Sequence, residues 1–320
     1  MSTLLLGRSD VSRHVDALTL LAELREAFRT VAEHLPPEVS RVQAPLPEHG
    51  HTRVTLPGVL RGLPAYTVRL QTLLPEGAPG ASDVVHLHAL QTGELLAVMD
   101  MGQLSMMCAG VVGALAADVL ARPDASRVAL IGAGVAASLQ LKSLRLVRSL
   151  QHARVYDGES VRAVEFATRM YQGLKLPVRT AESVEEAVAD ADIVIVTMAA
   201  REPCLFPGML RGGTHVSVVG ADEPMQAALS TGLVRQSTLF RDHGGFMAAH
   251  GAPAGAGLGD EATHAELGQV LAGTRPGRTD PAQVTLFSTA GAPFQELVAA
   301  WHVYQGARLD DSMRRVDFGA

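Results

Sequence analysis

Thiol groups are scarce in this sequence. Only two of its 320 residues are cysteines, Cys108 and Cys204, and neither belongs to a C-x-x-C pair. Two isolated cysteines suggest neither a disulfide framework nor a thiolate zinc site, so we expect no bound metal. The same scarcity favours a reducing compartment, the cytoplasm.

An excess of positive charge is also missing. Lys and Arg number 27 against 33 Asp and Glu, which leaves a formal net charge of −6. Because the phosphates of a nucleic acid are bound by basic surfaces, this balance argues against a nucleic acid partner.

Long apolar runs are missing as well. The uncharged stretch over residues 101–117 falls short of a membrane span and contains glycines and polar residues. The apolar part of the N-terminus is too short for a secretory signal. We therefore expect no membrane association, and a buried helix over residues 104–120.

A glycine turn after a buried strand is what the sequence does contain. Residues 128–131 are uncharged and apolar, as in a parallel strand covered on both faces, and Gly132, Gly134 and Ala137 follow as G-x-G-x-x-A. Glycine permits the turn, and the small Ala137 lets the next helix pack on the strand. The N–H groups that begin this helix would bind a diphosphate. A purely structural turn is the alternative.

An acidic residue lies at the end of the next strand. Asp157 follows the strand 153–156, about twenty residues beyond the glycine turn, where an acid binds the ribose hydroxyls of NAD and repels the extra phosphate of NADP. This position predicts NAD. The nearby Arg162 leaves NADP open.

Strands and helices alternate between residues 123 and 293. This alternation predicts an α/β fold with a Rossmann-type, doubly wound parallel sheet. Ligands bind such sheets at the carboxyl ends of the strands. The residues expected there include Met198, Gly220, Asp222 and Asp242.

The first third of the chain has another pattern. Residues 10–35 predict one amphipathic helix or two, with one face formed by Val15, Leu18, Leu21, Leu24 and Phe28. Short strands follow. In the strand 66–72, Val68 and Leu70 alternate with Arg69 and Gln71, so that the polar face either contacts water or lines a substrate cavity.

A hairpin is predicted over residues 84–99. His86 and His88 would lie on one face of its first strand. Because no third ligand is evident, we favour solvated or hydrogen-bonded histidines over a metal site.

Several short segments resemble a known family in their order and spacing. They are residues 95–100, 131–137, 191–197, 203–205, 213–222, 267–273, 277–278 and 285–291. Through them the chain resembles the ornithine cyclodeaminase/μ-crystallin family over nearly its whole length.

The resemblance implies two domains. An α+β substrate-binding and dimerisation domain would cover residues 1–122 and be completed by a C-terminal helix, 294–320. An NAD(P)-binding Rossmann domain would cover residues 123–293. The resemblance also implies a homodimer, a nicotinamide held in a cleft, and chemistry at the α-carbon of a small amino or imino acid.

The resemblance also assigns roles by position. Asp222 corresponds to the family's catalytic aspartate, and the ligands of the substrate carboxylate correspond to Arg41, Arg69 and Cys108. Together with the glycine turn and the strand ends, it gives the cofactor-binding candidates Gly132, Gly134, Val135, Ala136, Ala137, Asp157, Thr197, Met198, Ala199, Val219, Gly220 and Gly291.

Two substrate positions depart from the family pattern. The family usually has Lys in place of Arg69, and an Arg-Thr pair in place of Cys108-Ala109. Arginine still binds a carboxylate, but cysteine cannot replace a guanidinium. Losing one charge-assisted contact costs about 1.5 to 3 kcal/mol, enough to change the substrate.

We therefore expect an NAD(H)-dependent oxidoreductase, of the imine reductase or amino acid dehydrogenase type. Asp222 would exchange the proton on nitrogen, and Arg41 and Arg69 would fix the carboxylate. One alternative is ornithine cyclodeaminase proper, which converts L-ornithine to L-proline and ammonia with NAD used catalytically. Another is a μ-crystallin-like binding protein that has lost catalytic contacts, as Cys108-Ala109 would suggest.

Overall fold

The computed structural model describes residues 2–34, 40–46, 50–73, 83–198, 200, 202–219, 228–243, 256–289 and 291–318. The chain divides into two compact units. The first unit is Met1–Cys108 with Ala292–Ala320, and the second is Ala109–Gly291. The domain limits expected at residues 122 and 293 stay a prediction, because a geometric division does not by itself define a functional one.

The first unit contains a seven-stranded mixed sheet. In sheet order its strands are β15 (Arg315–Val316), β1 (Thr3–Leu6), β6 (Leu95–Asp100), β5 (Asp83–Ala89), β4 (Ala65–Leu73), β3 (Gly50–Gly58) and β2 (Ser40–Leu46). β1 and β6 pair in parallel, and the other neighbours are antiparallel. The predicted hairpin of β5 and β6 is confirmed, whereas the sequence pattern predicts neither β1 nor β15.

Among its described residues, three helices lie wholly in this unit: α1 (Arg8–His14), α2 (Ala17–Glu33) and α9 (Pro293–Ala307). The side chain of Asp16 accepts a hydrogen bond from the N–H of Thr19 and so begins α2 as a new helix. A single helical period therefore does not run through residues 10–35. The prediction for Leu18 is wrong for another reason: the buried face of α2 follows Leu20, Leu24 and Phe28 at four-residue spacing, and Leu18 lies outside it with its side chain 59% exposed.

A glycine allows α9 and the sheet to approach closely. At Gly58 a Cβ atom would lie 2.1 Å from Oγ1 of Thr67 and 2.6 Å from the carbonyl oxygen of Pro293. The pairing of β3 with β4 is irregular between Thr55 and Gly58. The ring of Phe294 in α9 meets Phe28 of α2 edge to face, with 5.1 Å between the centroids.

The second unit contains an eight-stranded sheet in which every pair is parallel. In sheet order the strands are β13 (Thr263–Glu266), β12 (Thr238–Arg241), β14 (Thr285–Thr289), β11 (His215–Val219), β10 (Ile193–Val196), β7 (Arg127–Ile131), β8 (His152–Tyr156) and β9 (Val178–Thr180). The predicted doubly wound sheet is confirmed. β13 is not predicted by the sequence pattern, because Thr-His-Ala-Glu lacks an apolar run.

Helices cover this sheet on both faces. They include α3 (Met101–Leu120), which carries the unit boundary, α4 (Val135–Val147), α5 (Ser160–Leu174), α6 (Val184–Val188), α7 (Thr231–Gln236) and α8 (Leu267–Leu271). Successive residues of β7 enter different cores: Val128 and Leu130 pack in one apolar cluster, Ala129 and Ile131 in the other. This is why the strand is apolar without alternation.

α3 is an exceptionally apolar helix. Among the described residues it alone is long and apolar enough to cross a membrane by length and composition, yet 61% of that stretch is buried inside the protein. The core helix of a folded unit passes the same test, so this is weak evidence for a span. The predicted buried helix is found here.

A charged cluster closes the amino end of the parallel sheet. The carboxylate of Asp192, just before β10, accepts hydrogen bonds from the side chains of Arg122 and Arg127 and from the N–H groups of Ser126 and Arg127. Burial by itself would raise the pKa of Asp192, but these hydrogen bonds outweigh it and lower the pKa to about 2. The cluster therefore stabilises the fold only while Asp192 is ionised.

We expect Asp192→Asn to lower the free energy of unfolding by about 2 kcal/mol at neutral pH. Because the folded pKa lies below the unfolded one, this contribution is present above about pH 4 and is lost as the pH falls towards 2. The measurement is urea denaturation of the wild type and the variant at several pH values. Asp190→Asn, which removes a more exposed partner of Arg154, is the control and should change little. A stability difference that did not shrink at acidic pH would contradict this account.

Candidate cofactor and substrate sites

Six strand ends of the second unit reach the same level of the sheet. The register runs through paired residues of neighbouring strands: Tyr156, Ile131, Val196, Val218, Ser288 and Arg241. The next residue of each strand therefore lies at the carboxyl edge, where ligands bind such sheets. These next residues are Asp157, Gly132, Thr197, Val219, Thr289 and Asp242. Four of the six are predicted cofactor-binding residues.

The first glycine of the turn is required by the backbone. Gly132 has a φ of +111°, and a Cβ atom there would lie 2.8 Å from Oγ1 of Thr197 and 2.9 Å from the backbone nitrogen of Met198. Its N–H donates to the carbonyl of Tyr156, and the N–H of Thr197 donates to the carbonyl of Ile131. The turn is thus packed directly against the end of β10.

The second glycine faces open space instead. Gly134 precedes α4 with an ordinary φ of −81°, and a Cβ atom there would meet no described protein atom within 4 Å. Among the described residues no side chain caps this helix start. Val135 is exposed, whereas Ala137 is buried against the sheet. The start of α4 is therefore compatible with the diphosphate that the sequence predicts there, and that role stays a prediction.

The carboxylate of Asp157 is held against this turn. Its Oδ2 accepts a hydrogen bond of 2.8 Å from the N–H of Ala133, and its Oδ1 accepts one of 3.1 Å from the N–H of Glu159. An Nη atom of Arg162 lies 3.9 Å from Oδ2. Each carboxylate oxygen keeps a second lone pair, so the arrangement fits the ribose of a dinucleotide.

Some predicted residues lie outside the described part of the chain. They are Ala199, Gly220 and the expected catalytic residue Asp222. Of Arg41 the structure describes the backbone in β2 only. The roles of all predicted site residues, including Met198 and Gly291, stay predictions.

Thr289 and Asp242 also lie at the carboxyl edge of the parallel sheet, although neither is among the predicted cofactor-binding residues. Thr289 pairs directly with Val219, and its hydroxyl contacts Asp242 and the N–H of Gly291. Sequence analysis placed Asp242 at a strand end without a role and did not single out Thr289. A signal was present: a hydroxyl residue ends a buried strand two positions before a glycine.

In the first unit, Arg69 lies on the buried face of the mixed sheet. Its Nε donates to Asp83 Oδ1 at 2.8 Å, and its two Nη atoms contact Asp83 and Glu296 of α9. Burial alone would lower the pKa of Arg69, but the carboxylates of Glu296 and Asp83 raise it above its usual range. Arg69 and Gln71 thus share one face of β4, where both contact Asp83, and Leu70 is 38% exposed on the other face.

The register also brings the predicted carboxylate ligands together. Arg41 of β2 pairs with Thr55 of β3, and Thr55 pairs with Arg69 of β4. Their Cα positions therefore form one row across the sheet, with the arginines two strands apart, about 10 Å. Thr55 between them is buried.

Cys108 contributes no charge to this unit. It is 4% exposed, and its Sγ lies 3.7 Å from the carbonyl oxygen of Gln295. A buried thiol in this setting is a packing group with a weak hydrogen bond.

The two histidines of the hairpin form an aromatic cluster with Tyr66. The rings of Tyr66 and His88 stack with 4.9 Å between centroids, and His86 meets His88 at 6.3 Å. Burial, together with the neighbouring His88, lowers the pKa of His86. No group of three possible metal ligands occurs among the described residues.

Comparisons with known proteins agree with this geometry. The family profile described as the ornithine cyclodeaminase/mu-crystallin family matches residues 1–310. Mouse ketimine reductase mu-crystallin is 31% identical, over 82% of this chain and 83% of its own. An archaeal alanine dehydrogenase dimer with bound NAD has a TM-score of 0.89 at 25% identity, covering 99% of this chain and all of its own. The delta(1)-pyrroline-2-carboxylate reductase of Thermococcus litoralis, solved with NADH and L-proline, has a TM-score of 0.85 at 29% identity, covering 98% and 100%.

The two glycines of the turn give a matched pair of substitutions. Gly134→Ala should leave the melting temperature near that of the wild type and weaken NADH binding by roughly tenfold or more, because its methyl group fills the space before α4. Gly132→Ala should instead lower the melting temperature, since its methyl group meets backbone atoms at a positive φ. Thermal melts and NADH fluorescence titration measure both. Equal NADH affinity in wild type and Gly134→Ala would show that the diphosphate does not bind here.

Proposed function

The chain belongs to the ornithine cyclodeaminase/mu-crystallin family, and we propose that it is an NAD(H)-dependent oxidoreductase of the imine reductase or amino acid dehydrogenase type. Its substrate is a small imino or amino acid in which the reacting carbon carries a carboxylate. The observation that carries the proposal is the row of strand ends that places Gly132, Asp157 and Thr197 together beside the uncapped start of α4.

The described residues at the carboxyl edge of the parallel sheet fit a dinucleotide that lies extended along that edge. The N–H groups of Val135 and Ala136 face the space before α4 and bind the diphosphate. Asp157, already oriented by the turn, accepts the ribose hydroxyls and disfavours a phosphate there, so NAD is preferred to NADP. When bound, the nicotinamide supplies or removes the hydride at the substrate α-carbon.

The two cationic residues proposed to bind the substrate, Arg41 and Arg69, are both arginines, although the family usually has a lysine in place of Arg69. The bonds to Asp83 and Glu296 use three of the five N–H donors of Arg69 and fix the guanidinium plane. The remaining donors of Arg69, with Arg41 in the same cross-strand row, bind the substrate carboxylate. Because Cys108 adds no charge, substrate binding depends on these two arginines.

The proton on the substrate nitrogen is assigned to Asp222. In the direction of reduction its carboxyl group donates the proton that converts the imine to an amine, and in oxidation its carboxylate accepts it. Fixing the carboxylate by two arginines limits rotation of the substrate, which holds the reacting carbon and the nitrogen in place.

We also propose a cytoplasmic homodimer. The outer face of the mixed sheet supports a contact between two copies, since it exposes apolar side chains, among them Val42 at 58% and Leu70 at 38%. The archaeal alanine dehydrogenase of similar structure is a dimer.

The reaction is tested by supplying NADH with cyclic and linear imino acids, delta(1)-pyrroline-2-carboxylate first, and following NADH absorbance. We expect oxidation of NADH by the wild type and a loss of about 100-fold or more in kcat for Asp222→Asn, which cannot give up or take the proton. The exposed Asp311→Asn is the control and should behave as wild type.

Two results would overturn this proposal. Formation of proline and ammonia from ornithine and NAD without net NADH would identify a cyclodeaminase. Tight NADH binding without turnover of any imino acid would identify a binding protein. Equal turnover by Asp222→Asn and wild type would remove Asp222 from the reaction.

The carboxylate contact is tested at Arg69. Arg69→Met should raise the KM for the imino acid by about tenfold or more, because a charge-assisted contact is lost, while NADH affinity stays near wild type. Arg69→Lys keeps the charge, and its KM should lie between those of the wild type and Arg69→Met. Arg13→Met, on the exposed side of α1, serves as the control. An unchanged KM in Arg69→Met would show that the carboxylate binds elsewhere.

A further inference from the structure

Asp242 is a buried acid that the proposed reaction does not use. It follows β12 at the same level as Asp157 and Gly132, but two strands beyond Val219. It is 2% exposed. Placing a carboxylate in such a position is costly unless hydrogen bonds compensate for the lost water.

The two oxygens of Asp242 have different partners. Oδ1 accepts a hydrogen bond of 2.8 Å from the N–H of His243, next along the chain. Oδ2 accepts the hydroxyl hydrogen of Thr289, which ends the neighbouring strand β14. The carboxylate thus ties the ends of two parallel strands together.

This bond fixes the role of the Thr289 hydroxyl. A hydroxyl has one hydrogen, and that hydrogen is given to Asp242. The oxygen is therefore an acceptor for its other partner, the N–H of Gly291, at 3.0 Å. Gly291 has a φ of +76°, a left-handed conformation that favours glycine.

We propose that Asp242 is a positioning residue for the nicotinamide end of the cofactor, acting through Thr289 on the turn at Gly291. The inference rests on the proposed function, in which Gly291 flanks the nicotinamide. Asp242 accepts the hydroxyl hydrogen of Thr289 and so fixes the direction in which the hydroxyl oxygen offers its lone pairs to the N–H of Gly291. When Asp242 is changed the hydroxyl loses this orientation, and when the hydroxyl itself is removed the N–H of Gly291 loses the hydrogen bond to it.

A purely structural role for Asp242 predicts something different. Thr285, four residues earlier in β14, also has a buried, hydrogen-bonded hydroxyl, but at the other end of the sheet, where it contacts Arg278 and the carbonyl of Leu120. Its loss should affect folding stability alone. Loss of the Thr289 hydroxyl should also weaken binding of the nicotinamide end of the cofactor.

The experiment compares two ligands that share the adenosine and diphosphate: NADH, which carries the nicotinamide, and ADP-ribose, which does not. Dissociation constants are measured by titration calorimetry for wild type, Thr289→Val, Thr289→Ser, Asp242→Asn and Thr285→Val, with thermal melts alongside. We expect Thr289→Val and Asp242→Asn to raise the dissociation constant of NADH by about tenfold and that of ADP-ribose by less than about twofold. Thr289→Ser should restore NADH binding, and Thr285→Val should keep the wild-type ratio of the two constants.

The possible failures are distinguishable. If the wild type binds neither ligand, the proposed function is wrong. If the wild type binds both but Thr289→Val keeps the wild-type ratio, the proposed function stands and the inference about Asp242 is wrong. If Asp242→Asn does not fold, Thr289→Val still removes the hydroxyl through which Asp242 acts, so a wild-type ratio in that variant overturns the inference.

Discussion

In-register pairing of parallel strands is the constraint on which the candidate cofactor site depends. Six strands of the second unit are paired so that six residues at or just after their carboxyl ends lie at one level. Residues far apart in sequence, from Gly132 to Thr289, are thereby placed along one edge. Local features of the chain then complete the candidate cofactor site. They include the positive φ at Gly132 and, among the described residues, a helix start at Gly134 that no side chain caps.

Much of the second unit was predictable because its signals are local. An apolar run, a glycine turn and an acid at the next strand end indicate a strand, its turn and a ribose ligand whatever the rest of the chain does. β13 was not predictable, since its four residues form a strand only by pairing beside β12. Thr289 and Asp242 were missed as a pair because 47 residues separate them and only the sheet order brings them together.

The first unit was harder to predict because its signals conflict. An arginine on β4 suggests a wet face, yet Arg69 is buried since Asp83 and Glu296 neutralise it from two other elements. The predicted apolar face over residues 10–35 was wrong at Leu18, because the buried face of α2 follows Leu20, Leu24 and Phe28 instead. For Arg69, side-chain partners on other elements decided the outcome, and no sequence pattern within one element shows such partners.

The first unit is built from the two ends of the chain, Met1–Cys108 and Ala292–Ala320, whereas the second unit is one contiguous segment of the sequence, Ala109–Gly291. α9 supplies three of the contacts described above: Pro293 against Gly58, Phe294 against Phe28, and Glu296 beside Arg69. During synthesis on the ribosome the second unit can fold as soon as it has emerged, whereas the first must wait for the last helix. Until α9 has been made, the mixed sheet of the first unit lacks the helix that packs on it. The residues made earliest, Met1–Cys108, are therefore the ones exposed to aggregation during synthesis.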